Sequence, residues 1–153
     1  MAENANGQLI KVIVFELMDK EYAIPVEYVR SIEKISHITR VPGVEPFVIG
    51  VINLKGTITP IIDLRTRFGL EPKNHDESTR IIIVSNNQFE VGLIVDSAKD
   101  VLEFSAHLIE PQPEVAGFEE SDFIIGVANV VGRLLILIKL EQILQVPGTA
   151  QSM

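Results

Sequence analysis

His37, His75 and His107 are the side chains best suited to proton transfer near neutral pH, but they lie far apart in the sequence. None has the close spacing that sets metal ligands on one helix or strand. His75-Asp76-Glu77 is the one local cluster with ligand chemistry, and its polar surroundings read as solvated charge. No Gly-x-Ser-x-Gly elbow is present. The segment Gly50 to Thr57 is a poor phosphate loop, since its glycines are one residue too far apart and Lys55 precedes Gly56. Nothing flanking Glu119, Glu120 and Asp122 supplies an apolar pocket that would split them into an acid and a base. Cysteine is absent, which excludes disulfides, zinc-thiolate sites and a cysteine nucleophile. The expectation is a non-enzymatic protein that needs no metal or cofactor.

Binding chemistry remains. The formal charge of −8, with 13 scattered Lys and Arg against 21 Asp and Glu, disfavours nucleic acid and an anionic membrane surface. Arg40, Lys55, Arg65, Arg67 and Arg80 gather around the first half of the chain and its exit, placed to form a positive rim around an apolar contact. Lys55 is the favoured member. Met1 to Gly7 is acidic and amide-rich without an export signal, and no apolar stretch approaches the roughly 20 residues of a spanning helix, so a cytoplasmic location is expected.

The elements that would position these residues are mostly strands. Leu9 to Leu17 and Glu21 to Val26, rich in β-branched and aromatic residues, flank the polar turn Met18-Asp19-Lys20 as a hairpin. Val26, Val29 and Ile32 suit either a short helix or a twisted edge strand. After the loop Val41 to Pro46, Val48 to Leu54 and Thr57 to Ile62 make a second hairpin turning at Gly56. Asp63 is placed to cap a short helix over Leu64 to Phe68, with Gly69 ending it. Beyond the polar linker Glu71 to Ser78, Arg80 to Ser85 and Phe89 to Val95 form a third hairpin across Asn86-Asn87-Gln88. Ser105 is placed to cap a turn through Leu108, Pro111 to Asp122 reads as a surface loop, and Phe123 to Val130 with Leu134 to Ile138 form the last hairpin, turning at Gly132. Leu140 to Leu144 is a short amphipathic end.

Two copies of one unit are written into this order. Phe47-Val48-Ile49-Gly50-Val51-Ile52-Asn53-Leu54-Lys55-Gly56-Thr57-Ile58 aligns without a gap to Phe123-Ile124-Ile125-Gly126-Val127-Ala128-Asn129-Val130-Val131-Gly132-Arg133-Leu134. Glu21 to Val26 likewise matches Glu90 to Val95 in polarity, and Ile32 matches Val101, at one constant offset. The copies span about 10–70 and 79–144. Each would supply five short strands, about what closes a small barrel, and strands may be exchanged between the two.

Val41 to Gly56, followed by Pro60-Ile61-Ile62-Asp63-Leu64-Arg65, resembles the signature of CheW-type chemotaxis coupling domains. The resemblance runs along almost the whole chain, through Glu21-Tyr22-Ala23-Ile24, Val91 to Asp96 and Arg133 to Leu137. It implies a mainly β fold of two five-stranded SH3-like barrels on a shared hydrophobic core, with a few short helices. It also implies a scaffold that joins the cytoplasmic signalling tip of chemoreceptors to the regulatory domain of a chemotaxis histidine kinase, a monomer in isolation and an array component in the cell. Matched position by position, Val29 and Gly50 fall where the family contacts receptors. Asn53, Lys55 and Gly56 form the Asn-Leu-x-Gly turn, where Lys55 replaces the usual Arg and loses its planar fork. Ser31 stands where some members carry an acid able to pair with that arginine.

The resemblance also covers domains fused to a receiver or to the kinase itself, and the expectation for a chain of this length is a stand-alone domain and not such a fusion. The rival reading is a small barrel that binds an oligosaccharide or oligonucleotide, which would need exposed aromatics beside a basic groove. The chain has two Tyr, seven Phe and no Trp.

Overall fold

The computed structural model describes residues 8–42, 44–86, 89–111 and 122–145. Its strands are β1 (Leu9–Leu17), β2 (Lys20–Pro25), β3 (Val29–Lys34), β4 (Thr39–Arg40), β5 (Val48–Leu54), β6 (Thr57–Asp63), β7 (Arg80–Asn86), β8 (Phe89–Val95), β9 (Ser97–Ser105), β10 (Ile109–Pro111), β11 (Ile124–Val130) and β12 (Arg133–Ile138). Two short helices, α1 (Leu64–Arg67) and α2 (Leu140–Leu144), follow β6 and β12. The ambiguous stretch after Pro25 resolves into both alternatives, a 3-10 turn over Val26–Tyr28 and then β3. Asp63 caps α1 through its Oδ1, which accepts the Arg65 N–H at 3.2 Å, and Gly69 follows at φ 78°. Ser105 precedes a 3-10 turn over Ala106–Leu108 but makes no side-chain cap; its Oγ sits 2.6 Å from His107 Nδ1 instead. Of the expected loops, 112–121, Gly43 and the turn residues 87–88 lie outside the described residues. No helix among the described residues is long and apolar enough to cross a membrane.

The strands form two sheets of six, ordered β10-β11-β12-β2-β1-β9 and β3-β7-β8-β6-β5-β4. Two related β units are thus present, and the expected five strands become six because the very short β4 and β10 add at the edges. Neither repeat copy makes a sheet alone. The β1–β2 hairpin of the first copy pairs with β9 and, in parallel, with β12 of the second. Reciprocally, β7–β8 of the second copy pairs with β3 and, in parallel, with β6 of the first.

Period-two alternation makes this exchange favourable, because each exchanged strand is apolar on both faces. In β1, Val12 and Val14 enter a cluster with Ala23, Leu135 and Leu137 on one face of the first sheet. Phe15 and Leu17, of opposite parity, enter a second cluster shared between the sheets. In β7, Ile81 and Ile83 join an isoleucine-rich cluster of the second sheet, while Ile82 and Val84 join the shared one. Fully burying each such side chain contributes about 1.5–3 kcal/mol.

Most described aromatics are spent on the shared cluster. Phe15 stacks on Tyr22 with centroids 5.7 Å apart, Tyr22 meets Phe68 at 5.7 Å, and Phe68 stacks on Phe123 at 5.4 Å. Arg67 continues the series, its guanidinium 4.2 Å from the Phe47 ring centroid and 4.8 Å from that of Phe123. Its nitrogens donate to backbone carbonyls at the end of α2, to Ile143 O at 2.8 Å and Gln142 O at 3.0 Å. Desolvation lowers the Arg67 pKa, only partly countered by the charge of Glu45.

Asp96 marks the crossover from β8 in the second sheet to β9 in the first. Its Oδ2 accepts the Met18 N–H at 3.0 Å, and Arg65 donates to both its oxygens, at 2.8 Å to Oδ1 and 2.6 Å to Oδ2. One carboxylate therefore ties the β1–β2 turn to α1. Burial raises the Asp96 pKa, but the Arg65 hydrogen bonds, the Met18 N–H and the Arg65 charge outweigh it and hold the carboxyl below its ordinary value.

Two outcomes follow from this packing. Leu93→Ala, in the shared cluster, should cost about 2–5 kcal/mol while the protein keeps a single urea transition by circular dichroism, because both sheets lose the same support. For Asp96 the folded pKa is depressed, so its contribution is present above the unfolded value of about 3.9 and is lost as pH falls through the folded one. The stability gap between wild type and Asp96→Asn, about 2 kcal/mol at neutral pH, should be flat above about pH 5 and shrink below about pH 4.

Candidate functional site

The hairpin tips are built from the same chemistry in both copies. Lys55 and Gly56 connect β5 to β6 with φ of 53° and 89°, and Val131 and Gly132 connect β11 to β12 with 51° and 82°. Positive φ at both central residues is the type I′ geometry that matches strand twist, and glycine adopts it without a Cβ penalty. Asn53 Oδ1 accepts the Gly56 N–H at 2.8 Å, and Asn129 Oδ1 accepts the Gly132 N–H at 3.2 Å. Asn53 and Gly56 therefore have a complete structural explanation as turn residues, leaving the exposed Lys55 side chain as the part of this tip free for a partner.

Gly50 sits elsewhere on β5, buried, at a bulge where the pairing with β6 shifts register. A Cβ on it would stand 2.1 Å from the Thr39 carbonyl oxygen of β4. Gly126 is its counterpart, with 2.2 Å to Glu110 O of β10. Close approach of an edge strand accounts for both glycines. Val29 begins β3 opposite Val84, half-buried against the shared cluster. The sequence-derived set is thus divided between one exposed tip and two packed positions.

The expected positive rim is corrected by the geometry. Arg65 is bound in its pair with Asp96 and also donates to Glu71 O at 2.7 Å. Arg67 is sandwiched between phenylalanines, and Arg80 donates to Glu77 O and Thr79 O at 2.8 Å each. These three satisfy local carbonyls or a carboxylate, which holds more tightly than display to solvent. Arg40 and Lys55 remain unpaired among the described residues. His37, His75 and His107 lie on separate exposed segments, and no group of three metal-ligating side chains occurs among the described residues.

Exposed apolar residues are the feature that motif reading missed. Ile58 is 62% exposed and Leu134, its repeat equivalent, 58%; Ile32 is 40% exposed and its equivalent Val101 52%. Both sheets thus present large apolar groups at matching positions. The signal was available in strand parity, since Leu135 and Leu137 face the core and Leu134 must point the other way. On the first sheet Leu134 joins Ile124, Val127 and Ile136 in an apolar groove of about 440 Å³ beside Asp19, Lys20 and Glu21. Glu21 in its lining accepts from Arg133 at 3.0 and 3.1 Å, and Arg133 donates also to Asp100 at 3.0 and 3.1 Å.

The sequence matches the CheW-like domain family over residues 11–148. It is 46% identical over 143 residues to the chemotaxis protein CheW of Bacillus subtilis, covering 94% of this chain and 90% of that protein. With the chemotaxis protein CheW of Klebsiella aerogenes it shares 36% identity over 132 residues, 86% of this chain and 80% of the relative. The crystal structure of the scaffolding protein TtCheW from Thermoanaerobacter tengcongensis superposes with a TM-score of 0.84 at 35% identity, covering 91% of this chain and 94% of that one.

If packing alone explains Gly50, then Gly50→Ala should cost about 3 kcal/mol in urea unfolding, and Gly126→Ala should cost a similar amount. An effect on stability at Gly126 but none at Gly50 would return Gly50 to a purely contacting role.

Proposed function

The chain belongs to the CheW-like domain family, and on that premise we propose that it is a non-catalytic cytoplasmic adaptor that couples chemoreceptor signalling tips to the regulatory domain of a chemotaxis histidine kinase. The observation that carries this reading is the duplicated display of apolar residues, Ile32 and Ile58 on the second sheet and Val101 and Leu134 on the first. A coupling protein must be held by more than one partner at once, and exposed apolar positions on two sheets provide separate anchors for that. The tips beside them differ, since Lys55 offers a cation where Val131, 95% exposed, offers only apolar surface. Two related faces with different tips suit two different partners. Receptor conformation would then bias the kinase by shifting populations through the shared core.

The rival oligomer-binding reading is disfavoured by the aromatics. Phe15, Tyr22, Phe47, Phe68 and Phe104 are buried, so they form no stacking platform.

Calorimetric titration of the protein against a receptor signalling-tip fragment and a kinase regulatory domain tests the proposal. Saturable binding to each, with a ternary complex on mixing, is the expected result; absence of binding to both by the folded protein, far above micromolar concentration, overturns it. Ile58→Glu and Leu134→Glu should each weaken a different contact by about tenfold or more, roughly 1.4 kcal/mol, with little change in thermal stability because both side chains are exposed. Lys55→Glu should lower the on-rate for its partner and flatten the salt dependence.

A further inference from the structure

The turn between β1 and β2 is built unlike the tips at Lys55-Gly56 and Val131-Gly132. Those two end in glycine and are each closed by an asparagine of their own hairpin. Met18-Asp19 spans the same two residues, between the paired Leu17 and Lys20, and has the same left-handed geometry, with φ of 50° and 66°. It has neither the glycine nor the asparagine. Aspartate visits the left-handed region readily, whereas methionine does so at a cost. The strand pair leading into the turn adds to the difficulty, since Glu16 stands directly opposite Glu21. A hairpin of this composition does not hold its turn unaided.

The aid comes from the crossover between the sheets. Met18 N–H donates to Asp96 Oδ2 at 3.0 Å, across 78 positions of the chain. Asp96 N–H donates to Glu16 O at 3.0 Å, and the Ser97 hydroxyl to Glu16 Oε1 at 3.2 Å. Behind the carboxylate, Arg65 fixes its direction by donating to both oxygens, while Arg65 Nη1 is itself held on Glu71 O. The two side chains of this pair are only 12% and 13% exposed, so water competes little for their hydrogen bonds. The Arg65 pKa is raised chiefly by its hydrogen bond to Asp96, and the charge of Asp19 adds to this, which puts the turn within electrostatic reach of the pair.

Asp19, Lys20 and Glu21 form one wall of the apolar groove that holds Leu134 and Ile136. Arg133 fixes Glu21 at the base of that wall, but its tip goes where the turn goes. Arg65 belongs to α1, which follows β6 of the second sheet, so a residue carried by one sheet sets the wall of a groove on the other. We propose that Asp96 and Arg65 are positioning residues for this groove. They hold the Met18-Asp19 turn left-handed and keep the wall formed in the free protein, so that the partner anchored at Leu134, in the adaptor reading on which this rests, meets a ready surface.

The test combines NMR of the labelled full chain with calorimetry. In the free protein, Asp96→Ala should shift and broaden the amides of Asp19, Lys20 and Glu21 and the methyls of Leu134 and Ile136. Adding Met18→Asn, which puts asparagine at a left-handed position it favours without altering a groove-lining residue, should return those methyls towards their wild-type positions. In titrations with a receptor signalling-tip fragment and with a kinase regulatory domain, Asp96→Ala should weaken by about fivefold the partner that Leu134→Glu weakens. The other partner should be unaffected, and Met18→Asn should recover the loss. Arg65→Lys, which keeps the charge but loses the fork, should give a smaller loss of about twofold, and it serves where Asp96→Ala does not fold. Unshifted groove methyls in these variants would overturn the assignment. An affinity loss that Met18→Asn leaves unrepaired, or that falls equally on both partners, would overturn it too. Wild-type protein that binds neither fragment would sink the adaptor reading instead, and the methyls of the free protein would still decide whether the pair positions the groove.

Discussion

Everything in this molecule rests on hairpins that are apolar on both faces. The strands β1–β2 and β7–β8 each leave the rest of their own repeat copy and complete the sheet of the other. A strand with two buried faces cannot lie on a surface, so it must be sandwiched between its own sheet's cluster and the cluster that joins the sheets. Exchange satisfies both demands in both copies at once. It also makes the shared cluster a product of the whole chain, with Phe15 and Tyr22 from the first hairpin, Phe68 after α1 and Phe123 before β11 in one aromatic series.

Arg67 shows how the duplicated frame tolerates an exception. The rings on which it lies, Phe47 and Phe123, are repeat equivalents, and the offset relating them places Ile143 opposite Arg67 itself. A half-buried guanidinium without a carboxylate is costly unless its donors are met. Carbonyls at the end of α2 supply that, including the carbonyl of Ile143. Lysine, a point charge without a planar surface, would satisfy neither the rings nor the carbonyls as well. One copy's helix is thereby fastened to the other's by a contact found on one side only.

Duplication with small departures also shapes the surface. Identical turn geometry at the two tips presents lysine in one place and valine in the other, while the glycines beneath them serve the same close strand approach. Backbone demands are repeated, and side chains that touch nothing internal are free to diverge. An adaptor uses that freedom, because its framework must stay rigid while its faces meet different partners.

The sequence by itself determined the strands, the turns, the repeat and the family, because period-two apolar runs, Asn-x-x-Gly turns and an ungapped match are local and survive without coordinates. It also placed Lys55 at an exposed tip. Only the tertiary structure decided that Gly50 and Asn53 serve packing and turn geometry, and that Arg65, Arg67 and Arg80 are consumed internally. It likewise decided which hairpin joins which sheet. Those outcomes depend on partners distant in the chain, such as Asp96 for Arg65 and Thr39 for Gly50, and no local pattern specifies the distance between residues brought together by folding.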